Sequence, residues 1–359
     1  MNSAFFRAGG RHLVLCAGVL LSLPQAHADD RASELTFLTW GDYIDEGVVA
    51  DFEAEFNASI RFVHFESDAA RHELLTISGV QGYDLILVDS VSRALYQHLG
   101  WIGEFDRQQI PNLGRLRLPA PSVGSHGSDL CVPYTWGTTG IAYRTDLVSE
   151  PVTRWQQLFE PAEELQGKIL MSEAGTEVVG MALKALGYSM ASSDPDELEQ
   201  ARQLLNKQAP LIAGYAPVAV DSAAAKLVTG EVSAVLTYSG DALMLKEFQP
   251  NIEYVLPEEG GAIWADFICL GAQPENAELA HRFIDFLNRP EQSARNSLYI
   301  YSATPNVDAE ALLPADFLTD PVIYPDRASL DKSEHYRVIP PRIARIYNNI
   351  MQEVQQLSE

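Results

Sequence analysis

One pairing of residue types recurs along this 359-residue chain: an aromatic ring within three residues of an acid, near the end of a strand-like run. Trp40-Gly41-Asp42-Tyr43, Tyr238-Ser239-Gly240-Asp241 and Trp264-Ala265-Asp266 all have this form. Asp89 follows the apolar run 85–88, and Glu177 opens a helical pattern after the run that ends at Met171. Carboxylates hold ammonium groups through charge-assisted hydrogen bonds. Ring faces attract a cation by roughly 0.5–2 kcal/mol and cover methylenes at about 0.8 kcal/mol per buried CH₂. Spaced acids and rings would therefore read an organic polycation, a string of amines joined by short alkyl segments. Each residue also has a plainer reading. Asp42, Asp89 and Asp241 have the type that caps helices, Glu177 suits a helix N-terminus, and Trp40 and Trp136 suit a core. Trp264 and Asp266 share one face of a strand by alternation, and an acid buried there needs a partner.

Other chemistries lack their residues. The eight histidines form no His-Glu-x-x-His or other metal spacing, and no cysteine cluster could hold zinc. There is no Gly-x-Ser-x-Gly elbow. Gly167-Lys168 lacks the upstream glycine of a phosphate loop, and Gly137-Thr138-Thr139-Gly140 is too short for a dinucleotide fingerprint. Neither a metal nor a cofactor is expected. The enzyme class that stays open is a hydrolase working with two carboxylates alone.

The elements that must position these residues alternate. Strand-like runs at 35–40, 60–65 and 85–88 are separated by helical spacing at 48–56 and 74–77. This β-α-β-α-β order predicts a parallel, doubly wound sheet. After the segment 131–143 the alternation restarts, with strands at 169–171, 234–238, 252–256 and 263–270. Helices are expected at 177–186, 195–208, 241–246, 277–287, 290–298 and 342–357, and 113–127 reads as surface loop. Two α/β units in one chain imply a cleft between them, and strand ends facing such a cleft are the expected ligand edge.

The chain carries 49 acids against 25 Lys and Arg, a formal charge of −24, which argues against nucleic acid and anionic membranes as partners. Arg7, Arg11 and His12, the short apolar run 13–23 and Ala26-His27-Ala28 read as a secretory signal cut after Ala28. Cleavage removes two arginines and no acid, so the exported chain is more acidic still. It keeps Cys131 and Cys269, each in an apolar stretch. Two buried free thiols are the first reading, and one long-range disulfide is the alternative that an oxidising compartment permits.

Taken together, these segments resemble the periplasmic spermidine/putrescine-binding family of bacterial ABC importers. The carriers are Leu38-Thr-Trp-Gly-Asp-Tyr-Ile44, Tyr83-Asp-Leu-Ile86, Pro133-Tyr-Thr-Trp-Gly-Thr-Thr-Gly-Ile-Ala-Tyr143 and Tyr238-Ser-Gly-Asp241. To these are added Pro257-Glu-Glu-Gly-Gly-Ala-Ile-Trp-Ala-Asp266, Leu287-Asn-Arg-Pro290, Thr304-Pro-Asn306 and Ile323-Tyr-Pro-Asp326. The resemblance implies a two-lobed, Venus-flytrap α/β fold, each lobe a doubly wound, mostly parallel sheet, with the ligand cleft at the hinge. It places residues 29–136 and about 265–305 in one lobe, and 137–264 and about 306–359 in the other. It implies a monomeric, non-catalytic periplasmic carrier that captures a polyamine for an ABC permease. Its pocket would hold Trp40, Asp42, Tyr43, Glu177, Tyr238, Trp264 and Asp266; the residues' own pattern adds Asp89 and Asp241, and Trp136, Glu173, Tyr301 and Arg337 lie at its margin. Val88-Asp89-Ser90 also resembles binding proteins that dock on a membrane signalling receptor, a cyclic-di-GMP enzyme or a kinase, in place of a permease.

Overall fold

A computed structural model describes residues 33–114, 116–119, 130–219 and 222–358. The expected signal segment 1–28 and most of the expected loop 113–127 lie outside the described residues.

Among the described residues, eleven strands form one hydrogen-bonded sheet. They are β1 Ser33–Thr39, β2 Ala58–His64, β3 Leu85–Asp89, β4 Ile102–Gly103, β5 Cys131–Arg144, β6 Ile169–Met171, β7 Gly214–Tyr215, β8 Ala234–Tyr238, β9 Ile252–Val255, β10 Ala262–Gly271 and β11 Glu334–His335. The main path runs β2-β1-β3-β10-β5-β8-β6-β7. Pairing is parallel at both flanks, β1 with β2 and β3, and β6 with β7 and β8. In the middle, β10 runs antiparallel to β3 and β5, and β5 antiparallel to β8 and β9. The parallel flanks were legible from the β-α-β order. The two antiparallel strands that join them are the addition.

Those two strands are the crossovers between the lobes. At 14 residues, β5 is long enough to serve both: Cys131 to Trp136 pair with the far half of β10, and Thr139 to Tyr143 pair with β8. Period-two alternation then buries both faces of each flank. On the first, Phe37, Leu85, Leu87, Ile268 and Leu270 face one core while Leu38, Ile86, Val88, Phe267 and Cys269 face the other. On the second, Ile141, Tyr143, Ile169, Met171 and Leu236 oppose Ala142, Leu170 and Val235 in the same way. Two sandwiched cores joined by two strands make the two-lobed α/β architecture.

Helices cover the faces close to the expected ranges: Glu46–Phe56, Asp68–Ser78, Gly175–Ala185, Pro195–Gln208, Ser239–Phe248, Ala277–Leu287, Pro290–Tyr299 and Pro341–Ser358. A further helix, Ser90–Leu99, follows β3 directly. The C-terminal helix packs Ile343, Tyr347, Ile350, Met351 and Val354 into the second lobe's core. Ala309 and Leu313 pack with Ala294, and Ile323 joins Val88 and Phe267, all on the first lobe's side.

The two cysteines are directly opposite each other in the β5–β10 ladder, their Cα atoms 4.2 Å apart, and they form a disulfide. This corrects the reading of two free thiols. Each residue's apolar neighbours account for its burial, and the register brings together two residues 138 positions apart.

Candidate functional site

The crossover strands carry the centre of the site. Between Asp266 and Phe267 the β5–β10 register slips: Asp266 faces Thr135 and Phe267 faces Pro133, so Tyr134 is the extra residue of a bulge. Bulges re-aim side chains, and this one sends the Tyr134 hydroxyl to the main chain of the Trp40–Tyr43 loop. It donates to the Tyr43 carbonyl at 2.6 Å and accepts from Asn296 Nδ2 at 2.7 Å. Asn296 Oδ1 accepts in turn from the Asp45 amide at 2.9 Å. So anchored, Tyr43 donates its hydroxyl to Asp266 Oδ2 at 2.8 Å.

Asp266 is buried, and burial pushes its carboxyl up to about 7; Asp89 and Asp68 reinforce this, while the Tyr43 bond and, more weakly, the Arg71 charge oppose it. The Tyr43 phenol is pushed well above its ordinary value by the same burial and by the Asp266 charge.

A second carboxylate station stands on the other lobe. Glu177, in the first turn of helix Gly175–Ala185, is buried and accepts from the Tyr238 hydroxyl, with Ser172 and Tyr336 also hydrogen-bonded to it. Burial raises its carboxyl and those three bonds pull against it. Asp241, in the first turn of helix Ser239–Phe248, is pushed up to about 7 by burial and by Glu177, against one bond to Thr237. Among the described residues, none of the groups acting on Glu177 or Asp241 is a cation. Tyrosines ring this station: Tyr238 stands edge-on to Trp264, their centroids 6.1 Å apart, Tyr254 shares a hydrogen bond with Thr138, and Tyr336 shares one with Thr139.

The short Gly137-Thr138-Thr139-Gly140 run has its explanation here. A Cβ on Gly137 would lie 2.5 Å from the Trp264 ring, and one on Gly140 would lie 2.4 Å from the Val255 carbonyl and 2.6 Å from the Tyr254 hydroxyl. Absent side chains let Trp264 and Tyr254 lie directly on β5. Trp264 Nε1 is buried without a hydrogen-bond partner.

The structure thus brings together Tyr43 and Asp266 on one side and Glu177, Tyr238 and Asp241 on the other, with the Trp264 ring against Tyr238. Several expected residues stand elsewhere or are already engaged. Asp42, at φ 51°, is exposed, and its charge acts on Tyr299. Trp40 packs its ring on Phe65, centroids 4.3 Å apart. Asp89 caps helix Ser90–Leu99 by accepting from the Val91 and Ser92 amides, and pairs with Arg71 at 2.5 Å. Burial works to raise Asp89, and Arg71 with the Ser92 bonds overcomes it, so the net direction is down. That pairing removes Asp89 as a free anchor. Trp136 is core, edge-on to Tyr324. Glu173 and Arg337 are exposed, and Tyr301 donates to Glu247 at 3.1 Å.

Two charged residues escaped the sequence reading. Asp68 starts helix Asp68–Ser78, and Arg71 one turn on pairs with it at 3.0 Å. The Asp68 side chain keeps 62% exposure, yet surrounding protein and the charges of Asp89 and, across the cleft, Glu177 push it up to about 6 against the pull of Arg71. Its i,i+3 spacing to Arg71 was the available signal, and it reads as an ordinary surface pair.

Two α/β lobes on a pair of crossover strands, one of which carries Trp264 and Asp266, are the architecture of a solute-binding protein. Residues 47–324 match the family of bacterial extracellular solute-binding proteins, and the chain belongs to that family. The spermidine/putrescine-binding periplasmic protein of Escherichia coli is 30% identical over 328 residues, 90% of this chain and 92% of that one. A Vibrio cholerae protein named as a norspermidine sensor is also 30% identical, over 82% of this chain and 80% of its own. Among solved structures, a spermidine/putrescine transporter substrate-binding protein from Streptococcus pneumoniae superposes with a TM-score of 0.80 at 26% identity, covering 91% of this chain and all of that one.

Proposed function

We propose that this chain captures a polyamine of the spermidine/putrescine class in the cleft and presents it to an ABC permease, without catalysis. One observation carries the reading: two buried carboxylates on opposite lobes, Asp266 hydrogen-bonded to Tyr43 and Glu177 to Tyr238, with half-buried Asp241 near Glu177. A ligand with ammonium groups at both ends would bridge them, with Tyr43, Tyr238 and Trp264 covering the methylenes. Only the closed arrangement lets both lobes touch one ligand, so binding favours closure. The names of the relatives support both the amine and the periplasmic setting, and export through the signal segment 1–28 fits them. Among the described residues no helix is long and apolar enough to cross a membrane. More of the relatives are named for binding than for sensing, which favours a permease over a signalling receptor as partner. The lobes would divide near residues 136 and 264, with the segment from 306 to about 330 assigned to the first lobe and the C-terminal helix to the second. The protein would act as a monomer.

A thermal-shift panel of putrescine, spermidine, norspermidine and spermine tests this. At least one should raise the melting temperature by several degrees at millimolar concentration, because binding to the native state alone adds RT ln(1 + [L]/Kd). No shift with any of the four would sink the polyamine reading.

A further inference from the structure

Arg71 is the strongest feature that the proposed function leaves unused. Its side chain is 1% exposed. Every guanidinium nitrogen is engaged: Nε donates to the Tyr96 hydroxyl at 3.2 Å, Nη2 to Asp89 Oδ2 at 2.5 Å and to Ser92 Oγ at 2.9 Å, and Nη1 pairs with Asp68 Oδ1 at 3.0 Å. Its face lies over Phe65 and Tyr96, 5.2 and 5.5 Å from the ring centroids. The residue sits in the first turn of its helix, where the backbone dipole opposes a cation. The acids and rings around it hold it there. Asp89 is directly opposite Asp266 in the β3–β10 ladder, so this fixed cation lies one carboxylate away from the first ligand station.

The charges can then be counted along the cleft. Asp89 is fully committed to Arg71 and its helix cap, and Asp68 is partly answered by Arg71. Asp266 feels Arg71 only at a distance, as the weakest of the influences on it, and among the described residues no cation acts on Glu177 or Asp241. Without Arg71, the same wall would present Asp68 and Asp89 as two further acids beside Asp266, a place for an additional ammonium group.

We infer that Arg71 is a specificity-determining residue of the cleft: a resident guanidinium that answers Asp68 and Asp89 in place of a ligand ammonium and so disfavours amines of higher charge. This rests on the polyamine reading of the site. A diamine or triamine has its charges met by the free carboxylates. A further ammonium of a tetraamine would meet acids that Arg71 already answers, and so gains less there than at a wall without the guanidinium.

The test is isothermal titration of the exported chain with putrescine, spermidine and spermine. Arg71→Met, close in length but uncharged, should raise the ratio of spermine to putrescine affinity by about tenfold or more, the effect of ~1.4 kcal/mol of added attraction. Because loss of a buried cation strands two acids, the second variant is Arg71→Gln, uncharged but still able to donate a hydrogen bond to Asp89. It should shift the ratio the same way. Arg71→Lys, which retains the charge, should hold the wild-type ratio whatever its absolute affinities. A ratio unchanged within about twofold in whichever uncharged variant folds would overturn the inference. If the wild-type protein binds none of the three amines, the polyamine reading itself fails, a separate and prior result.

Discussion

Binding should release protons, and the affinity should therefore climb with pH through neutrality. Asp266 and Asp241 are each raised to about 7 from 3.8, chiefly by burial, and Glu177 moves in the same direction. A polycation favours their ionised forms and pulls them back down, so protons held by the free protein must leave. At pH 7 each aspartate is about half protonated, so the pair should give up about one proton per ligand bound. Between pH 7.5 and 5.5 the cost of deprotonation weakens binding by about 25-fold per group, hence roughly 10²- to 10³-fold for two independent groups. The sign for the free fold is opposite to that of an ordinary salt-bridged acid. A carboxyl raised in the folded state destabilises it increasingly as pH rises from the unfolded value near 4 to the folded value near 7, by about 4 kcal/mol per group at the top. The unliganded melting temperature should thus fall across that window while the ligand-induced shift grows. Titration at pH 7 in two buffers of different ionisation enthalpy reads the proton count, and a pH series reads the affinity. Identical enthalpies in both buffers together with a flat affinity from pH 5.5 to 7.5 would refute the reasoning.

Two further outcomes follow from the same geometry. Asp266→Asn keeps the shape and can still accept from Tyr43, but it removes the charge; amine affinity should drop by about a hundredfold or more, while the unliganded protein becomes more heat-stable at pH 8, both readable by calorimetry. Reducing the Cys131–Cys269 disulfide reopens a link between residues 138 positions apart; loop entropy puts the gain at about 5 kcal/mol at most, so a reductant should lower the melting temperature by several degrees, and an unchanged scan would show that the bond contributes nothing.

The alternation of apolar residues was enough to place the parallel flanks, because each strand there is buried on both faces and reads as a continuous apolar run. It could not show that 131–144 and 262–271 run antiparallel through the middle, since pairing partners far apart in sequence leave no local trace. The site divided along the same line. Trp264 and Asp266 were legible as a pair because period two puts them on one face and a buried acid there demands an explanation. Asp42 looked identical in sequence, yet its left-handed backbone turns it out to solvent. Asp89 looked like an anchor until Arg71, from another helix, took it. Tyr134, Tyr254 and Tyr336 were not legible as parts of the site: a bulge, a strand beyond the motif and a residue far along the chain bring them in.

Clustered acids with raised pKa values make the unliganded cleft self-repelling. Glu177 acts on Asp68 across it, Asp68 and Asp89 act on Asp266, and Glu177 acts on Asp241. Bringing the lobes together shortens the cross-cleft distances and strengthens the repulsion, most of all where protein excludes water. A bridging polycation reverses the sign of that interaction, because each of its charges then sits between acids that otherwise oppose one another. The ligand's preference for the closed state is thus the sum of the attraction it makes and the repulsion it removes, and only such a difference between states can shift the equilibrium. A neutral molecule of the same length could touch the same rings and would leave the repulsion in place. In the proposed site, charge, read by Asp266 at one end and by Glu177 with Asp241 at the other, would convert occupancy into closure.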